Sequence, residues 1–433
     1  MSTLQLLVTG SVVLSLAYLA VVAGVTIIAA LRAGGRREDD AAADAALAAS
    51  RLTMPVSIVV PVGGSSAVSA TIDRLLGLNY LEFEVIVVIE RRFANLDAVA
   101  AEWQLESREF FYRRTLETAP VRRIFRSVRD SRLMVVEKDE GSRADALNCG
   151  MNLARYRYVA VVPPAVTFDE SALLRAMAPA LREPSSVVAV SGHIERVPDA
   201  RRPIDREARF QWLRSIRSLM FTRLFSVHLR QNVGPDDAVV IWRREAVLQA
   251  NGFAQSAVDP DLDMMLRLQQ GAGGEDRRFV RSEDAFGRTW TRTVQDSRAA
   301  SGRRQRAALG AVATWARGAG SRVGGRTITY FFGSELIAPF AECWLVIATV
   351  AGAAAGWFTW TTPVLSAVLL AFGTAATSAA ALLLRGAHQN APARAELQSL
   401  LLISPLELLL HRPGHAWARL SGVLNSARDH RSW

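Results

Sequence analysis

Val56-Ser57-Ile58-Val59-Val60-Pro61 and, further on, Phe83-Glu84-Val85-Ile86-Val87-Val88-Ile89 are the two runs whose reading decides the fold. Both are rich in β-branched residues, the composition of buried strands. The turn-prone Gly63-Gly64-Ser65-Ser66 and an apolar-periodic segment around Ala67 to Leu78 lie between them. Strand, helix and strand in that order make a βαβ unit, and hence a parallel sheet. Leu133-Met134-Val135-Val136, a helix over Arg143 to Ala154, a strand at Tyr158 to Val162 and a further strand at Val187 to Ser191 continue the pattern. Residues 92–132 are rich in Arg and Glu, hold the aromatic cluster Phe110, Phe111 and Tyr112, and read as helix plus loop.

Outward from this α/β block the chain turns apolar. Leu6 to Leu31 is nearly unbroken, long enough for a bilayer, where about 20 apolar residues suffice. No basic segment precedes it and Arg32, Arg36 and Arg37 follow, so it reads as a retained span rather than a cleaved signal. Leu336 to Phe358 and Val364 to Leu384, joined by Thr359-Trp360-Thr361-Thr362-Pro363, read as a helical hairpin through the membrane. Arginines after the first and third spans, Arg385 among them, place both on the cytoplasmic side. The expected layout is a span over 1–32, a linker over 33–53, an α/β domain over 54–297, a basic interfacial region over 298–335, the hairpin over 336–385 and a cytoplasmic tail over 386–433. The expected location is the inner (plasma) membrane, multi-pass, with the main domain in the cytoplasm.

The net charge of +10 comes almost wholly from arginine, since Lys138 is the sole lysine. No nucleic-acid recognition motif accompanies it, so membrane lipids are the expected partners of the basic stretches. Phe210, Trp212, Leu213, Ile216, Leu219, Met220, Leu224 and Phe225 share one face of a helix over 206–229. That helix reads either as lying on the membrane or as an ordinary core-facing helix. Cys149 and Cys343 are the only cysteines, which leaves no disulfide framework and no cysteine metal site.

Three local patterns then become specific in combination. The first is Val56 to Pro61, Leu75-Leu76-Gly77-Leu78-Asn79-Tyr80 and Phe83 to Val88; the second is Gly141-Ser142-Arg143-Ala144-Asp145-Ala146-Leu147-Asn148-Cys149-Gly150. The third is Trp242-Arg243-Arg244-Glu245-Ala246-Val247 with Asn251-Gly252-Phe253. Together they resemble the membrane-bound family-2 inverting glycosyltransferases of the polysaccharide-synthase kind, over residues of about 54 to 310. The resemblance implies a GT-A fold, Rossmann-like with a mixed, mostly parallel sheet. It also implies a nucleotide-diphosphate sugar as donor, held with Mg²⁺ or Mn²⁺ if the protein is active, and a glycan or lipid-linked acceptor.

Mapped residue by residue, the resemblance makes Asp261 the general base and places nucleotide-sugar contacts at Pro61, Glu90, Arg143, Asn148 and Arg306. Asp236 and Asp237 fall on the acceptor side, as a substitute metal site or a solvated turn. The departures concern carboxylates: Ile89 replaces one nucleoside-binding acid, and the metal-anchoring D-x-D reads Pro163-Pro164-Ala165. No protein metal ligand is therefore assigned. Asp169 and Glu170 stand nearby as helix-start residues, and Ala307 stands where the stacking Trp would be, with Trp315 close in sequence. Two readings stay open. One is a pseudo-glycosyltransferase serving a true synthase or glycan exporter; the other is an active transferase with Asp261 as base.

Overall fold

The computed structural model describes residues 2–33, 46, 50, 52–63, 68–91, 96–109, 111–199, 205–228, 238–270, 278–317, 337–386 and 392–426. The opening runs become β1 (Val56–Val62) and β2 (Phe83–Glu90), paired in parallel with Val56 opposite Phe83, and α2 (Val68–Leu76) crosses between them. β5 (Leu133–Lys138) adds in parallel to β2, and β6 (Tyr158–Val161) adds in parallel to the other side of β1. The order β5-β2-β1-β6 reverses direction at β1, so the crevice beyond the carboxyl ends of β1 and β6 is the switch point where α/β folds bind ligands. α4 (Arg143–Leu153) packs over β1 and β2.

The remaining junctions are mixed. β9 (Ala238–Arg243) is antiparallel to β6 and to β8 (Val187–Val197), and β10 (Arg278–Trp290) runs parallel to β8. The short β7 (Thr167–Phe168) closes that edge. At the opposite edge the helix-plus-loop expectation for 92–132 is corrected. After α3 (Leu96–Trp103) the chain forms β3 (Leu105–Ser107) and β4 (Val121–Ser127), antiparallel to each other, with β4 antiparallel to β5. The sequence hid β4 because its outward positions are arginines. Arg123 pairs with Glu137 at 2.5 Å and lies 5.2 Å from the Phe125 ring centroid, so a charged run lies flat on a strand next to the sheet edge.

Two apolar cores flank the sheet. One holds Ile58, Val60, Ile72, Leu75, Val85, Val87 and Met177; the other holds Val59, Ile86, Val88, Leu147, Met151, Trp242 and Met264. Even and odd positions of β1 thus go to opposite cores, the period-2 signature of a strand buried on both faces.

Of the three expected spans, two appear as helices long and apolar enough to cross a membrane: α1 (Thr3–Ala33) and α11 (Thr361–Gly386). The third is shorter than its apolar run. α10 (Ala338–Ala354) has 17 residues, about 25 Å against a hydrocarbon core of about 30 Å. It stops because the chain turns at Gly356, whose φ of +71° is left-handed. Val8, Val12, Leu16 and Leu19 of α1 pack with Leu345 and Ala348 of α10 and with Leu370 of α11, so the three apolar helices form one bundle. Trp344 Nε1 donates to Ser11 Oγ at 3.0 Å within it.

The helix over Arg206–His228, α6, takes the core-facing option over its described part. Trp212, Leu213 and Ile216 pack on Ala381 and Leu382 of α11 and on Leu400 of α12 (Arg394–Ile403). Leu219, Met220, Leu224 and Phe225 have side chains outside the described residues. α9 (Val294–Arg317) runs beside α14 (Arg412–Ser426), which follows the short α13 (Glu407–Leu410).

Candidate functional site

The site grows from one decapeptide. Gly141 and Ser142 turn the chain from β5 into α4, and Ser142 caps the helix by accepting from the Asp145 amide at 3.1 Å. Arg143, the first helical residue, points its guanidinium to Asp261 Oδ2 at 2.7 Å. Asp145 turns inward and meets the ammonium of Lys138 at 2.5 Å, both side chains fully buried. Asn148 exchanges hydrogen bonds with the Phe253 backbone, donating to its carbonyl at 3.0 Å and accepting from its amide at 2.8 Å. Gly150 lies against Val59 of β1, where a Cβ would come within 2.4 Å of Cγ1. One motif thus caps a helix, presents a charge to the crevice and locks two neighbouring segments.

Asp261 is the second residue of α8 (Pro260–Gln270). The three clustered acids there divide their work. Asp259 caps the helix by accepting from the Leu262 amide at 3.1 Å, with Pro260 at the first helical position. Asp263 pairs with Arg267 at 2.7 Å, and Arg267 also donates to the Ala250 and Gly252 carbonyls. Asp261 reaches across to Arg143, and its second carboxylate oxygen, Oδ1, is buried and has no hydrogen-bond partner. Desolvation in the crevice works against the Arg143 charge, but Asp261 and Asp259 outweigh it and hold its pKa above the ordinary value.

The other expected contacts are distributed around this pair. Glu90 ends β2, opposite Lys138, and accepts from the Gly141 amide at 3.3 Å. It therefore faces the turn that presents Arg143. Pro61 sits near the end of β1, at the switch point. Asn148 is buried and both ends of its amide are engaged by Phe253, so it shapes the crevice wall from behind. Arg306 lies on α9, which packs against α8, and its Nε is buried without a partner. Asp236 and Asp237, and the side chain of Trp315, lie outside the described residues.

At Pro163-Pro164-Ala165, where the resemblance would put a metal anchor, the backbone is tied down through main-chain oxygens. Pro164 O accepts from Thr71 Oγ1, and Ala165 O accepts from Thr289 Oγ1 at 3.3 Å. Asp169 is drawn away to Arg175 at 3.1 Å. Among the described residues no three acidic, His or Cys ligands converge beside Pro163 to Ala165; the group that does converge is Glu207, His411 and His415, in another part of the molecule.

The sequence reading missed two features. A cavity of about 60 Å³ lies between β8, α6 and α9, with Arg196, Arg214, Arg292 and Arg304 in its wall and no acidic residue lining it. Glu195 is a buried hub, accepting from Trp212 Nε1 at 3.1 Å and pairing with Arg385 at 2.8 Å. An acid in the middle of a strand is the one sequence signal that pointed there.

No protein-family model and no curated protein sequence matches the chain. Among solved structures, the mannosyltransferase PcManGT from Pyrobaculum calidifontis, in complex with GDP-Man and Mn²⁺, is similar with a TM-score of 0.57. The match has 17% identity and covers 92% of this chain and 99% of that one. The fold is glycosyltransferase-like. S. aureus TarS in complex with UDP-GlcNAc is similar over 87% of this chain and 93% of that one, at 12% identity and a TM-score of 0.39. At these identities the likeness bears on the fold, and the residues must speak for the chemistry.

Proposed function

We propose that this protein is a membrane-anchored, catalytically impaired glycosyltransferase of the family-2 type, acting as the partner of a true synthase or exporter of a cell-surface glycan. The observation that carries the reading is the Arg143–Asp261 pair, taken with a metal-anchor position that reads Pro163-Pro164-Ala165. A diphosphate leaving group needs a concentrated counter-charge, which hard carboxylates supply by holding a divalent cation. Here the crevice carries a guanidinium already neutralised by the carboxylate that would serve as base. An incoming diphosphate would compete with Asp261 for Arg143, and Asp261 must leave Arg143 or act through Oδ1 alone. Removing a single electrostatic element commonly costs about 10²–10³ in rate, and several are altered at once. Two candidate spanning helices, and basic segments next to them, support the anchoring at the inner (plasma) membrane.

One feature favours the second reading, an active transferase. Asp261 Oδ1 is buried and unpartnered while Oδ2 is fixed by Arg143, the arrangement of a base held in place with one oxygen ready to take a proton. Donor and acceptor would then bind without the usual metal, or with Mg²⁺ or Mn²⁺ held through the substrate. Titration of the full chain with UDP- and GDP-sugars, with and without Mn²⁺, separates the two. The impaired partner gives no metal-dependent micromolar binding and no sugar release. Binding that requires Mn²⁺, with turnover lost in Asp261→Asn, would establish the active transferase instead.

A further inference from the structure

The cluster set apart from the crevice is His411, His415 and Glu207. His411 precedes α14 and His415 lies one helical turn further on, so an i, i+4 pair presents two imidazoles on one side of the chain. Their rings lie 3.9 Å apart, centroid to centroid. Glu207, in the first turn of α6, reaches both: Oε2 is 2.9 Å from His411 Nδ1 and Oε1 is 3.6 Å from His415 Nε2. One ligand atom from each residue lies within 4.8 Å of the others. Both histidines are more than nine-tenths buried, and the Nε2 atom of each is buried with no hydrogen-bond partner.

The surrounding hydrogen bonds frame how His415 faces the carboxylate, whose Oε1 also accepts from Gln211 Nε2 at 3.1 Å. Ser301 Oγ donates to the Ser297 carbonyl at 3.2 Å and accepts from Arg214 at 3.2 Å. Ser301 Oγ lies 2.7 Å from His415 Nδ1, and in the tautomer that leaves Nε2 free for a metal the Nδ1–H donates to it. The Nε2 lone pair then faces a carboxylate oxygen across 3.6 Å, away from water. Two electron-rich atoms in that relation call for a cation between them. A histidine that donates its far nitrogen to a fixed oxygen is also how metal-bound imidazoles are oriented.

We propose that Glu207, His411 and His415 bind one borderline divalent transition-metal ion, Zn²⁺ by its preference for two imidazoles and one carboxylate, which clasps the start of α6 to the start of α14. Zn–N and Zn–O bonds of about 2.0–2.2 Å in tetrahedral geometry need ligand atoms about 3.3–3.6 Å apart. The separations of 2.9 and 3.6 Å to the two oxygens of the one carboxylate are of that order. Imidazole donors disfavour Mg²⁺ and Ca²⁺, which take oxygen ligands. Three protein ligands leave the fourth position to water. The ion has no part in the crevice chemistry: its ligands come from the layer joining the α/β domain to the apolar bundle and the tail.

The test uses the full chain, purified in detergent and freed of metal by chelation. Co²⁺ titration should develop the visible bands of a four-coordinate N/O site, saturating at one equivalent and displaced by Zn²⁺. His415→Ala and His411→Ala should lose the bands. Ser301→Ala, which keeps all three ligands, should weaken Zn²⁺ about 10–100-fold. Zn²⁺ in excess should raise the thermal midpoint of the unmutated, metal-free chain, a readout that needs no variant to fold. No saturable uptake by the unmutated chain, or equal uptake by the two histidine variants, would overturn the proposal.

Discussion

At the scale of single residues, the chain separates charges that hold structure from charges that face the crevice. Lys138 and Asp145 look as chemical in sequence as Arg143 and Asp261, yet they form a fully buried pair that ties β5 to α4. Removing one partner of such a pair leaves a buried charge uncompensated, which costs about 3–5 kcal/mol. Asp145→Ala should therefore lower the unfolding free energy, read by denaturant titration, by that amount, and an Asp145→Ala chain as stable as the parent would refute the assignment. Since Lys138 is the sole lysine and is fully buried, amine-directed labelling of the native chain should leave it unmodified until the protein is denatured. Burial also pushes the Cys149 thiol up to about 12, so alkylation at pH 8 should likewise spare it in the native state. Arg143 and Asp261 stood out as candidate site residues from their motifs; that they would pair with each other was not legible, because their motifs lie far apart in sequence.

At the scale of elements, small residues set how closely helices approach. Gly150 brings α4 onto β1, and Gly150→Ala would force its methyl group into Val59. Overpacking of that kind costs about 1–3 kcal/mol, to be read as a lower thermal midpoint with the donor-binding behaviour of the folded fraction unchanged. Gly302 of α9 and Gly422 of α14 meet the same way: a Cβ on Gly422 would stand 2.9 Å from the Gly302 Cα. β1, β2, β5 and β6 were readable because strands buried on both faces are apolar at every position. β4 was not, since a strand that keeps arginines outward carries the composition of a loop. β10 also escaped, for the same reason: Arg278, Arg281, Glu283, Asp284 and Arg288 break up its pattern.

At the scale of the whole molecule, buried ion pairs join the α/β domain to the apolar bundle. Arg385 pairs with Glu195 of β8, and Arg217 of α6 pairs with Glu407 at 2.5 Å and donates to Ser378 of α11 at 3.1 Å. Burial pushes the Glu407 carboxyl up, but Arg217 and Arg412 outweigh it and leave it at about 2. A carboxyl lowered on folding contributes stability above its ordinary value of about 4.5, and loses it as pH falls from there towards about 2. Thermal unfolding followed over that range should show a drop in stability that Glu407→Gln flattens. An unchanged pH profile in the variant would show that the pair does not couple the two layers.

The sequence by itself determined the α/β core and the long apolar runs, two of which form helices long enough to span a membrane, and it singled out Asp261 and Arg143 as the charged residues of interest. Each is a local property, carried by periodicity, by a run of apolar residues or by side-chain chemistry at one position. Only the tertiary structure decided that Asp261 meets Arg143, that Asn148 and Asp145 hold the scaffold, and that Arg385 faces a buried glutamate. It alone gathered Glu207, His411 and His415 from two distant helices. These depend on which side chains a fold brings within a few ångströms, and that distance is set by packing along the whole chain rather than by any motif within it.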